Sequence, residues 1–180
     1  MPLTDHTDEE LAADAAREGS DGPAFVALLG RYRDRVWRIC YRLLGHAEDA
    51  HDAAQEVFVR LFLHRQKFDG RSKYSTWVHS IAVRTCLTLR RGRGRRRRHE
   101  ATAAAEHPTA SAGLAPALSL DLETMLECLD EEDRAMVILK YAENYSYQEL
   151  AEIFGLSESA CKMRVSRARE KIQGRYGKSM

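Results

Sequence analysis

Several broad classes of protein are excluded by what this 180-residue chain lacks. No apolar run approaches the ~18 residues of a membrane-spanning helix. The N-terminus is acidic, which argues against a secretory or transit peptide. Cys40, Cys86, Cys128 and Cys161 stand singly, with no C-x-x-C pair. Each falls in a helical apolar pattern, so they read as small hydrophobes of a core rather than disulfides or zinc ligands, and a reducing cytoplasm is expected. No strand-like alternation appears, and no internal repeat links the halves. No Ser/His/Asp order, phosphate-binding Gly loop or carboxylate dyad stands out, so no catalytic residue is expected. Glu48-x-x-His51, amid His46, Asp49, Asp52 and Glu56, matches one half of a di-iron carboxylate site. The second half is missing, so an acidic patch facing solvent or a partner is the simpler reading. Neither metal nor cofactor is expected.

A net charge of +1 conceals strong segregation. Residues 1–22 hold seven acids and one Arg, and residues 121–133 hold seven acids and no base. Residues 90–98 hold seven Arg in nine positions. Separate basic and acidic blocks suit a protein that touches nucleic acid with some faces and a basic protein partner with others.

The periodicity is helical from Pro23 onward. A short acidic helix around Leu11, Ala12, Ala15 and Ala16 precedes it. Pro23 opens a helix that turns Phe25, Leu28, Leu29, Tyr32, Val36, Trp37, Ile39, Cys40, Leu43 and Leu44 inward and stops at Gly45. A second helix is predicted over 48–64 and a third over 76–91, joined by the polar loop 68–75. From Gly92 the pattern breaks into Gly-Arg and then Ala/Ser/Thr/Pro-rich sequence. As a flexible linker, such a stretch averages roughly 30 Å and reaches at most ~90 Å. It can join modules about two DNA turns apart. Helices over 121–129 and 131–141, the latter capped by Asp130, then lead into the last pair. The expected fold is all-α, with two small helical domains on a flexible linker and a helix-turn-helix in the second. The expected division is an acidic segment 1–22, a domain 23–92, a linker 93–118 and a domain 119–180.

Residues 146–172 carry the most specific signal. Ser146 with Glu149 forms a capping box, and Leu150, Ala151 and Phe154 give the helix one apolar face. Gly155 suits a tight turn, and Ser157 caps the next helix with Glu158 in its first turn. There Cys161, Val165, Ala168 and Ile172 form an inward stripe. Ser159, Lys162, Met163, Ser166 and Arg167 face outward, with Arg164, Arg169 and Lys171 on the flanks. A helix pair with a basic outer face presents a recognition helix to the major groove. The bland alternative is an ordinary helical hairpin with a solvated basic face.

The loop before the third helix interleaves Phe68, Tyr74 and Trp77 with Arg71 and Lys73. These groups stack unpaired bases and hold a single-strand backbone. His79, Arg84, Thr88, Arg90 and Arg91 extend the polar face of that helix. Alternatively Trp77 is core and Phe68 closes the loop. Arg93 and Arg95 to Arg98 suit phosphate contacts, which position rather than specify.

Taken together, these modules resemble a bacterial RNA polymerase sigma factor of the extracytoplasmic-function type. EDAHDAAQEVFVRLF is similar to the region 2 signature helix. The resemblance implies that Asp49, Asp52, Gln55, Glu56 and Phe58 face the polymerase. KFDGRSKYSTWVHSIAVRTCLTLRR resembles the region 2 loop and helix that melt and read the −10 element. It carries Arg84 where the family often has Asn. LDEEDRAMVILKYAENYSYQELAEIFGLSESACKMRVSRAREKI follows region 4. That implies −35 contacts from Ser159, Lys162, Met163, Arg164, Ser166, Arg167 and Arg169. Core RNA polymerase and promoter DNA are the implied partners, with an anti-sigma protein as a further one and a monomer as the free state. The rivals are a stand-alone helix-turn-helix regulator and a protein that only sequesters a partner.

Overall fold

A computed structural model describes residues 5–19, 22–103 and 124–176, with side chains outside 93–103. The described residues are helical apart from short turns, and they contain no strand. None of their helices is long and apolar enough to cross a membrane. They form two compact units, one of Met1–Thr85 with Glu152–Gly155 and one of Cys86–Ala151 with Leu156–Met180.

In the first unit α1 spans Asp8–Ala15, α2 Pro23–Leu44 and α3 Ala47–His64. The helix α4, Tyr74–Ala103, begins here. Thr7 and Glu10 cap α1 reciprocally, at 3.2 Å and 2.8 Å. This S/T-x-x-E box starts the helix earlier than its alanines indicate. Pro23 opens α2 at its first turn, and Gly45 ends it at φ 80 with its N–H on the Tyr41 carbonyl. Of the ten residues expected inward on α2, eight are buried, while Leu29 and Trp37 are half-buried. Val57 and Leu61 of α3, and Val78, Ala82 and Val83 of α4, join that core.

The helix α4 departs from expectation at both ends. It starts at Tyr74 rather than residue 76 because the Tyr74 N–H finds a carboxylate acceptor, Glu9 Oε1, at 3.1 Å. It runs past Gly92 and Gly94 to Ala103. Each glycine costs about 1 kcal/mol against alanine, but arginine is a strong helix former. The expected linker therefore begins as helix, and residues 104–118 lie outside the described residues.

In the second unit α5 spans Glu131–Ala142 and α7 spans Glu158–Tyr176. Between them lies α6, Tyr147–Phe154, whose last residues fall in the first unit's segment. Of the helix expected over 121–129, residues 124–126 are helical and the first three lie outside the described residues. Leu126, Leu129, Val137 and Ala168 form a buried cluster, with Cys128, Ile138 and Ile172 packed on it. Cys40, Cys86 and Cys161 are buried free thiols; Cys128 is half-buried.

Candidate nucleic-acid interface

Local capping positions the recognition helix. Ser146 Oγ accepts the Glu149 N–H at 3.1 Å, and the Ser146 N–H donates to Glu149 Oε2 at 2.8 Å. Gly155 turns the chain at φ +68. Ser157 Oγ then accepts the Ala160 N–H at 3.2 Å and starts α7. Cys161, Val165 and Ala168 point inward and are buried. Ser159, Lys162, Met163, Ser166, Arg167 and Arg169 are exposed.

These outward side chains differ in how they are held. Lys162 Nζ lies 2.6 Å from Glu158 Oε1, and the carboxylate's hydrogen bond raises the ammonium pKa. Ser166 Oγ donates to Glu170 Oε1 at 3.3 Å. Arg167 has no ion pair among the described residues. Arg164, on the flank of the helix, is held by acids of another helix. Its guanidinium is half-buried, 2.6 Å from Asp133, 3.1 Å from Glu132 and 3.6 Å from Asp130, all at the N-terminus of α5. Burial works against its charge, but the hydrogen bonds to Asp133 and Glu132 outweigh it and the pKa is raised. It braces α7 on α5. Asp130 also caps α5, accepting the Asp133 N–H at 2.9 Å. Burial would raise its carboxyl, but the Asp133 hydrogen bonds and Arg164 leave it below the usual value.

In the first unit the rings of Phe68, Tyr74 and Trp77 form a triad with centroids 5.1–5.6 Å apart. Phe68 and Trp77 remain half-exposed, while Tyr74 is 3% exposed. Tyr74 is therefore the floor of the triad, not a base-stacking face. Its ring also meets Tyr32 at 5.7 Å, and burial first, then the Asp8 charge, raises its phenol pKa. The Tyr32 hydroxyl donates to Asp8, and Arg31 lies 2.7 Å from the other Asp8 oxygen. Arg65 donates to the Ala15 and Glu18 carbonyls at 3.1 Å and 3.2 Å. The acidic N-terminal helix thus buttresses the triad, a role its composition did not disclose.

Arg71 and Lys73 are exposed, with Arg71 3.1 Å from Asp69. Arg84 and Thr88 are exposed on α4. Further along, within the second unit, Arg90 pairs with Glu131, and Arg91 with Glu132 at 2.7 Å. Glu132 therefore serves both Arg91 and Arg164. Side chains of the Arg run from position 93 lie outside the described residues.

On α3, Asp52, Gln55 and Glu56 are exposed and Asp49 is half-buried. Glu56 pairs with Arg60 at 2.6 Å. Phe58 turns inward and lines the seam with Leu28, Leu61, Tyr74 and Val78, so it does not share the outer face. Val59 and Leu63 do share it, at 52% and 65% exposure. The spacing 52, 56, 59, 63 was the available signal, since it sets residues on one helical face. No group of three or more potential metal ligands comes together among the described residues.

The description "Sigma-70 region 2" matches residues 28–96, and "Sigma-70, region 4" matches residues 119–172. The ECF RNA polymerase sigma factor SigW of Bacillus subtilis is 31% identical over 168 residues, 85% of this chain and 89% of that protein. The sigma-E factor of Escherichia coli is 25% identical, across 96% of each chain. Among solved structures, CnrH in complex with the cytosolic domain of CnrY superposes with a TM-score of 0.67 at 24% identity. It covers 96% of this chain and 99% of CnrH. RpoE of Bartonella quintana, in complex with the anti-sigma factor NepR, gives 0.61 at 24% identity, covering 83% of this chain and 94% of that one.

Proposed function

From the premise that this chain belongs to the ECF RNA polymerase sigma factors of the sigma-70 family, we propose how its own residues divide the work. The protein directs core RNA polymerase to promoters and assists opening of the −10 element. We assign residues 23–92 to region 2 and residues 119–180 to region 4. The Asp52, Gln55 and Glu56 face of α3, with Val59 and Leu63, meets the polymerase. Phe68 and Trp77 stack unpaired −10 bases, with Arg71, Lys73, Arg84 and Thr88 beside the strand. Arg167 and its neighbours on α7 enter the −35 major groove. The reading assigns no covalent chemistry to the chain and places it in the cytoplasm, where its polymerase works.

The observation that carries this reading is both sigma-70 regions, in order, in one chain whose recognition helix keeps an exposed polar and basic face. Extruding a base costs a few kcal/mol, and stacking on an aromatic ring returns about 1–3 kcal/mol per base. Tethering two weak sites raises the effective concentration of each. Because B. quintana RpoE binds an anti-sigma factor, a regulator of that kind is a partner to seek here. Run-off transcription with the purified chain and core polymerase is the test. Promoter-specific transcripts are expected. DNA binding without polymerase that merely blocks transcription would support the stand-alone regulator instead.

A further inference from the structure

On α7 one exposed side chain has no polar chemistry to offer a phosphate or a base. Met163 is 54% exposed, and it is the one large hydrophobic residue of that helix so exposed among the described residues. The core does not need it, because Cys161, Val165 and Ala168 already fill the inward stripe. It stands one helical turn after Ser159 and one before Arg167, both exposed, at the centre of the outward row. The polar residues around it are partly committed. Lys162 is tied to Glu158 at 2.6 Å, Ser166 to Glu170 at 3.3 Å, and Arg164 to the acids of α5.

In the major groove the bases present hydrogen-bond donors and acceptors, and the 5-methyl of thymine is the one alkyl group among them. An apolar side chain in the middle of a recognition row has that group as its one complementary target. The unbranched thioether of methionine, with three rotatable bonds, adapts to such a contact without a fixed docking angle. We propose that Met163 is a specificity-determining residue that reads a thymine methyl in the −35 element. The inference rests on the assignment of α7 to that element and adds the base class that it selects.

The test uses holoenzyme assembled from the full chain and core polymerase. Promoters with a randomised −35 element are selected by transcription, and each selected thymine is then replaced singly by deoxyuridine. Uracil pairs identically and lacks only the methyl. At subsaturating holoenzyme, one replacement is expected to lower transcription about fourfold, the factor one buried methyl-sized group contributes. Met163→Ala should transcribe the thymine and uracil templates equally, and Met163→Leu should keep most of the difference. Thermal melting of both variants checks that the exposed substitutions leave the fold intact. The proposal is overturned if no selected thymine is sensitive to uracil, or if Met163→Ala keeps the wild-type ratio. A complete lack of promoter-specific transcripts would instead bring down the sigma-factor reading beneath it.

Discussion

Arg164 and Arg167 lie three residues apart on α7, one half-buried among carboxylates and the other exposed to solvent. Helical spacing placed both beside the outward face, because it reports direction around an axis and nothing about partners elsewhere in the chain. The acids that hold Arg164 sit more than thirty residues upstream, at 130–133. Pairing over such a separation is set by how α5 packs on α7, which no local pattern encodes. Tyr74 is buried and Phe58 half-buried through the same kind of distant packing, since burial of an aromatic depends on neighbours from other helices. Removing the guanidinium leaves Asp133, 8% exposed, without its cation. Arg164→Ala is therefore expected to lose about 1–3 kcal/mol of stability in urea titrations, with Arg167→Ala within about 0.5 kcal/mol of wild type. The pH dependence has a definite sign. Asp130 is held below its ordinary value, so its contribution is present above about pH 4 and is lost as pH falls through its folded value. The gap between wild type and Arg164→Ala should be full at pH 7 and shrink in acid; a gap unchanged down to pH 3 would remove the Asp130–Arg164 coupling from the account.

Element boundaries were legible wherever a cap or a turn fixes them within four residues. Pro23, Gly45, Asp130, Ser146, Gly155 and Ser157 all do so, and each acts as its type requires. The Thr7–Glu10 box is equally local and starts α1 within the acidic N-terminal segment. The two ends of α4 were not local. One is supplied by Glu9, 65 residues away, and the other depends on arginines outweighing two glycines. Gly155 offers a clean test at this scale. A Cβ there meets nothing within 4 Å, so any loss on substitution is conformational rather than steric. At φ +68 an alanine is strained by about 1–2 kcal/mol. Asparagine tolerates that region better, and Asn144 already adopts φ 57 in this chain. Urea midpoints should rank glycine first, then Gly155→Asn, then Gly155→Ala. An alanine variant as stable as wild type would mean that the turn relaxes to another conformation.

For the whole molecule, segregated charge and helical periodicity on both sides of the break at Gly92 make the all-α class and a nucleic-acid role readable, because both are sums over many residues. The α3 face proposed to meet the polymerase is only partly readable in the sequence. Its acidic residues announce themselves and the helical spacing sets Val59 and Leu63 beside them, but how far those two are exposed depends on the packing. An apolar centre rimmed by polar groups is the usual anatomy of a protein interface. At 52% and 65% exposure these side chains contribute little to folding in the free chain. Replacing both, as Val59→Asp with Leu63→Asp, should leave far-UV circular dichroism unchanged and melting nearly so. Capture of the chain by core polymerase should weaken at least about tenfold, since buried anchors carry most of an interface's energy. Glu56→Gln, at the rim and paired with Arg60, should change the salt dependence of assembly more than its strength. Normal polymerase capture by a folded double variant would move the contact surface off this face of α3, and the acids at 52 and 56 would then be ordinary solvated charge.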